Sequence, residues 1–296
     1  MQLVIAAWCF TFLSTNASTQ RLNQFPNEAY STTFSSRLSA KAKRNRKASN
    51  KSSSSSSSSS NKKSKSGSTK LPRVIIFDLD GCLWRPELFE LVTNADGPPF
   101  THNPQDSSST VVPAGTTLLS KQGQRIELLG STRQILHELY TQEEWYPTRI
   151  GISSRTDPPE WAYNLMEMFA IYEVNDDDDG NKNRMTKTPT ATIPAVTCQM
   201  KDVFDPILCI LDKNTDKATQ FERLLEQAND QSTSNNHKRL QFKDMVFFDN
   251  EAGNCKQVAK LGVTCVYTPK GVTYEAWQNA IQNFPANRVL GPKMPY

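Results

Sequence analysis

The chain has 296 residues, 37% of them hydrophobic, and 34 Lys and Arg against 30 Asp and Glu, for a net charge of +4. The total hides a division: residues 1–70 carry twelve bases and one acid, Glu28, whereas the remainder carries 22 bases and 29 acids. A basic tail on an acidic domain argues against nucleic-acid binding by the folded part, and six Cys without a CxxC pair argue against a disulfide scaffold.

Residues 1–18 begin with an apolar run from Leu3 to Leu13 and end in small residues, Asn16-Ala17-Ser18. They read as a signal or targeting peptide, although a basic start is missing, and are too short for a transmembrane helix. Cys82, Cys198, Cys209, Cys255 and Cys265 suit a reducing compartment. Entry to the secretory pathway or a plastid through the leader reconciles the two; a cytoplasmic location is the alternative. Residues 19–70 are low-complexity, with Lys41-Ala42-Lys43-Arg44-Asn45-Arg46-Lys47 and an unbroken serine run from 52 to 60. They bury too little apolar surface to offset their ordering entropy, so a disordered basic linker is expected. Roughly 225 residues, 71–290 at their core, remain for one α/β domain.

That domain opens on Val74-Ile75-Ile76-Phe77, a β-branched apolar run typical of a strand buried on both faces. The run stops at Asp78 and Asp80, two carboxylates spaced i, i+2, and Gly81 lets the loop turn. Acids at the carboxyl end of a parallel strand lie where such sheets bind ligands. Two acids this close repel, and a hard divalent cation with oxygen ligands, Mg²⁺ by preference, relieves the repulsion; a capped turn is the plain alternative.

Residues 85–129 show no sustained helical period, and two extended runs, 116–120 and 125–129, flank Gln122-Gly123. This predicts a small β-hairpin cap overhanging the acids. Ser131 is expected to cap a helix bearing Ile135, Leu136 and Leu139. A second strand, 148–152, leads to Ser153-Ser154-Arg155-Thr156, whose hydroxyls and guanidinium can hold phosphate oxygens or can simply cap the helix from Pro158-Pro159 to Phe169. The acidic stretch at 175–194 reads as a surface insertion, lacking the spacing of a calcium loop. Residues 206–211 predict a third strand. Asp216 then caps a helix with Phe221, Leu224 and Leu225 on its apolar face. Lys217 in its first turn is unfavourable by the helix dipole and so is suspected as a phosphate ligand, with Lys213 as competitor. Met245-Val246-Phe247-Phe248-Asp249 repeats the opening design; a helix (252–261), a fifth strand (263–267) and a last helix (273–284) follow. The alternation predicts a doubly wound, Rossmann-like parallel sheet.

Taken together, Phe77-Asp78-Leu79-Asp80 with Leu83-Trp84, Pro98-Pro99-Phe100, Ser154-Arg155-Thr156, Phe221-Glu222-Arg223-Leu224 and Val246-Phe247-Phe248-Asp249 resemble the haloacid dehalogenase superfamily and, within it, the eukaryotic magnesium-dependent phosphatases. The resemblance implies a Mg²⁺-dependent phosphomonoesterase, with Asp78 as nucleophile, Asp80 as acid/base, and Ser154, Arg155 and Lys217 around the phosphate. It also implies Mg²⁺ on Asp78, the Asp80 backbone carbonyl and Asp249. The expected substrate is a phosphoprotein of phosphotyrosine type or a sugar phosphate, with no nucleic acid or membrane partner for the mature domain. A non-catalytic regulatory protein anchored by its basic tail is the competing reading. Asn250 stands where these relatives carry a second Asp, and Cys82 where they commonly carry Thr.

Overall fold

A computed structural model describes residues 70–108, 112–174, 193–230 and 238–294. The leader (1–18) and nearly all of the basic linker (19–70) and the acidic insertion (175–194) lie outside the described residues.

Twelve strands are described: β1 (Val74–Phe77), β2 (Trp84–Arg85), β3 (Thr101–His102), β4 (Thr117–Leu119), β5 (Arg125–Leu128), β6 (Arg149–Ser154), β7 (Ala170–Tyr172), β8 (Val196–Gln199), β9 (Cys209–Leu211), β10 (Met245–Asp249), β11 (Thr264–Tyr267) and β12 (Val289–Leu290). The helices are α1 (Leu88–Thr93), α2 (Pro104–Ser108), α3 (Thr132–Thr141), α4 (Pro159–Met168), α5 (Lys217–Asp230), α6 (Ala252–Ala259) and α7 (Tyr274–Gln282). Six strands form one parallel sheet in the order β12-β11-β10-β1-β6-β9, the predicted doubly wound architecture with one more edge strand than the periodicity announces.

Alternation along the central strands separates two cores, because successive side chains point to opposite faces. Ile75, Phe77, Ile150, Ile152, Val246 and Phe248 pack with α3, α4 and α7 on one side. Val74, Ile76, Ile210, Met245 and Phe247 meet Phe221 and Leu224 of α5 and Cys255 and Val258 of α6 on the other. All four residues of β1 are fully buried, as expected of a central strand covered on both faces.

The stretch 85–129 is more than a hairpin. The expected pair, β4 and β5, is antiparallel as a hairpin requires, but β2 and β3 extend it to a four-stranded sheet, β2-β5-β4-β3. Two short helices, α1 and α2, lie between its strands. The cap is fixed to the body by Arg133, whose guanidinium donates to the carbonyls of Thr116 and Ala170 and stacks over Tyr172. Phe100 meets Trp161 edge to face, and Gly97 lies so close to that indole that a Cβ would sit 2.3 Å from it.

Two local expectations are corrected. Ser131 occupies the N-cap position of α3 but does not cap it; its hydroxyl accepts from the backbone N–H of Tyr274 at 3.1 Å and ties α3 to α7. The third strand begins only at Cys209, because Pro206–Leu208 forms a 3₁₀ turn whose first N–H groups are served by Asp205, with the Ile207 N–H donating to it.

Candidate active site

Strand register builds the site. Phe77 lies opposite Phe248 of β10 and Ile152 of β6, so one residue further on Asp78 has Asp249 on one side and Ser153 on the other. The Asp78 N–H donates to the Phe248 carbonyl at 2.9 Å, continuing the ladder past the strand end. The two strand-end acids of the sequence therefore share one point at the carboxyl edge of the sheet.

Lys217 answers them. Its side chain is 1% exposed; Nζ donates to Asp78 Oδ1 at 2.7 Å and to the Ser153 carbonyl, and lies 3.8 Å from Asp249 Oδ2. A cation in the first turn of α5 opposes the helix dipole, and two buried carboxylates outweigh that penalty. Asp216 caps the helix as expected, accepting from the Thr219 N–H at 3.1 Å. Lys213, the competitor, is exposed and pairs with Asp157 at 2.7 Å.

One ammonium does not balance this charge. Burial first, and then the charge of Asp78, push the Asp249 carboxyl well above the usual range, against the pull of Lys217. Asp249 is further held by the Glu251 N–H at 2.6 Å and by Asn254 Nδ2 at 3.0 Å. Asp80 stands at the start of the cap, with Oδ1 accepting from Trp84 Nε1 at 2.7 Å and from the Leu88 N–H at 3.2 Å. Burial, with Asp78 adding to it, pushes its carboxyl up to about 6. The buried Thr156 hydroxyl faces Asp80 and opposes that rise, without making a hydrogen bond of normal geometry.

A hard cation fits this donor set. Among the described residues no three His, Cys, Asp or Glu side chains form a ready cage. The loop ends offer instead the Asp78 and Asp249 carboxylates and Asn250 Oδ1, a buried acceptor with no partner among the described residues. An all-oxygen set with few carboxylates suits an ion that keeps part of its water shell. Asn250 thus retains an acceptor where it lacks a charge. Cys82 also retains something of a brace: its thiol lies 3.5 Å from the Phe248 carbonyl and 3.6 Å from the Thr268 hydroxyl. Burial raises that thiol far above its ordinary pKa, so it is an inert packing group.

Ser154 is 1% exposed at the end of β6, and its hydroxyl has no hydrogen-bond partner among the described residues. Arg155 is set apart from the other expected phosphate contacts, being exposed at the rim and paired with Glu251 at 3.3 Å. Gln220 is a participant with no motif to announce it. Its Oε1 accepts from Ser153 Oγ at 2.6 Å, and its Nε2 donates to the carbonyls of Asp212 at 2.9 Å, Thr215 at 3.2 Å and Ser154 at 3.4 Å. It joins the strand end that carries Ser154 to the helix that carries Lys217. Its one legible sign is its place three residues after Lys217, on the same helix face.

Comparison with known proteins gives the family. Residues 70–287 match the family model described as acid phosphatase. Magnesium-dependent phosphatase 1 of Homo sapiens is 25% identical over 227 residues, covering 75% of this chain and 92% of that relative.

Proposed function

The chain belongs to the acid phosphatase family, and from that premise we propose that it is a Mg²⁺-dependent phosphomonoesterase working through an aspartyl-phosphate on Asp78. The observation that carries this reading is the pair of neighbouring acids in opposed settings: Asp78 ion-paired to Lys217, and Asp80 pushed up to about 6 beside it. Carboxylates whose environments differ in this way divide into nucleophile and proton donor.

In the first step an Asp78 oxygen bonds to phosphorus while Asp80 gives its proton to the departing ester oxygen, releasing the alcohol. In the second, Asp80 takes a proton from water as that water attacks the phosphoryl group, freeing inorganic phosphate and restoring Asp78 as a carboxylate and Asp80 as a carboxylic acid. Splitting one difficult hydrolysis in two is the benefit of a carboxylate nucleophile. Lys217 and the Ser154 hydroxyl hold phosphoryl oxygens, and Trp84 and the Leu88 N–H keep Asp80 aimed at the leaving group. Asp78, the Asp80 carbonyl and Asp249 would hold Mg²⁺, with Asn250 Oδ1 as a further acceptor. The bound ion supplies positive charge against which the phosphate dianion and Asp78 can approach.

The substrate reading is a sugar phosphate or a phosphotyrosine-type phosphoprotein, since the cap is a small sheet at one side of the acids. Residues 1–18 remain proposed as a secretory-pathway or plastid leader, checked by sequencing the mature N terminus. The purified full chain is expected to hydrolyse an aryl phosphate with Mg²⁺ and to stop on addition of EDTA. Asp78→Asn is expected to abolish turnover and the acid-stable label that radioactive substrate leaves on the protein. Unchanged turnover in that variant would remove Asp78 from the nucleophile role.

A further inference from the structure

Glu87 is a charged group without a structural task. It occupies the N-cap position of α1 yet caps nothing, and its side chain makes no hydrogen bond or ion pair among the described residues. It is half-buried, and burial first, then the charges of Asp80, Glu90, Glu251 and Asp78, raise its carboxyl above the usual range. At the rim, Arg155 is engaged with Glu251. A half-buried carboxylate beside four others, with no ion pair of its own, destabilises the fold, and such arrangements concentrate where they serve a ligand.

Its position says which ligand group it meets. Glu87 Oε1 lies 2.9 Å from where a Cβ on Gly81 would stand, over the loop that joins Asp80 to the cap. The next residue, Leu88, donates its N–H to Asp80. Resting on the reading of Asp80 as the proton donor, the alcohol leaving the phosphate must depart past Asp80 and therefore past Glu87. Glu90 and the 55% exposed Phe89 follow on the same short helix, and no cation on it offsets the acids.

We propose that Glu87 selects substrates by the charge of their leaving group, accepting phosphomonoesters whose alcohol carries hydroxyl or ammonium donors and rejecting those whose alcohol carries a second anionic group. A donor on the alcohol gives Glu87 its missing partner; a carboxylate or second phosphate adds to an existing repulsion.

The test uses the full chain with Mg²⁺ and compares kcat/KM for phosphoethanolamine, glycerol 3-phosphate and 3-phosphoglycerate, with an aryl phosphate as reference. The wild type is expected to prefer the first over the third by about tenfold or more, the size of one unit-charge contact at about 6 Å in partly screened surroundings. Glu87→Gln should shrink that ratio about tenfold, and Glu87→Lys should reverse it. Both variants should unfold at or above the wild-type temperature, because a repulsion is relieved; this shows that they fold. A ratio unchanged in folded Glu87→Gln and Glu87→Lys overturns the proposal. So does an equal loss on all three esters with a raised Mg²⁺ requirement, which would assign Glu87 to the cation. Absence of Asp78-dependent turnover of the aryl phosphate by the wild type is a different failure: it overturns the phosphatase reading itself, and this inference with it.

Discussion

Replacing Lys217 by Met removes the one ammonium between Asp78 and Asp249 while keeping most of the side-chain volume. In the wild type Nζ is 2.7 Å from Asp78 and 3.8 Å from Asp249, fully enclosed. Breaking a buried ion pair from one side costs about 3–5 kcal/mol, because the remaining charge stays buried. For a domain of this size each kcal/mol moves the unfolding midpoint by about 2–4 °C, so calorimetry of the variant in EDTA should show a loss of roughly 6 to 20 °C. Adding Mg²⁺ should recover more stability in the variant than in the wild type, since the ion no longer meets an ammonium at its site. Activity should not recover with it: a missing donor to a phosphoryl dianion is worth about 10²–10³ in kcat/KM. A midpoint in EDTA within about 2 °C of wild type, under 1 kcal/mol on the same scale, would refute the enclosed pair. A normal kcat/KM would remove Lys217 from phosphate binding.

Three further outcomes follow from the same geometry. Asp80, pushed up to about 6, must be protonated to serve the leaving group, so kcat/KM should be highest below that pH and fall as pH rises through it; Asp80→Asn should lose this limb together with most of the rate in a pH–rate series. Gly81→Ala places a Cβ 2.3 Å from Asn250 Nδ2 at a backbone φ of +69°, and should destabilise by about 1–3 kcal/mol while raising the Mg²⁺ concentration for half activity. Gln220→Leu strands the Ser153 hydroxyl and takes a donor from three carbonyls, of which those of Ser154 and Asp212 keep a backbone N–H; thermal unfolding should register about 1–3 kcal/mol of loss, and inhibition by inorganic phosphate should weaken as the Ser154 strand end and the Lys217 helix separate.

The central sheet was legible because apolar runs ended abruptly at carboxylates: β1 and β10 announce both their burial and the place of the candidate site. Lys217 is suspect in the sequence because a cation opposing a helix dipole asks for a reason, which the two carboxylates supply; its preference over Lys213 rests on the resemblance, through the spacing from Asp216-Lys217 to Phe221-Glu222. What escaped was non-local. Ser131 has the composition of a cap, but its hydroxyl serves Tyr274, 143 positions away. The strands β2 and β3 are two residues each, too short for any period, and exist because β5 and β4 pair with them. The pairing of β7 with β8 joins segments on either side of residues 175–192 and has no local signature. Trp84 enters the sequence reading only as part of the Leu83-Trp84 motif; it is fully buried, and its indole N–H donates to Asp80. Gln220 reads as a polar residue on an amphipathic helix, and only the fold turns it toward the strand end.

The joint between cap and body has a consequence for anyone who would re-engineer this protein. Trp84 is at once the first residue of the cap sheet, paired with Leu128, and a ligand of the Asp80 carboxylate; Leu88 opens the first cap helix and supplies the second donor. On the proposed roles, specificity and proton transfer are soldered together at one short segment, residues 80–88. A chimera that exchanges the whole stretch between Leu83 and Leu129 would import a foreign seat for Asp80 along with a foreign substrate surface. The workable crossover points lie inside the cap, after Leu88 and before Arg125, where loops can be traded while the acid keeps its anchors.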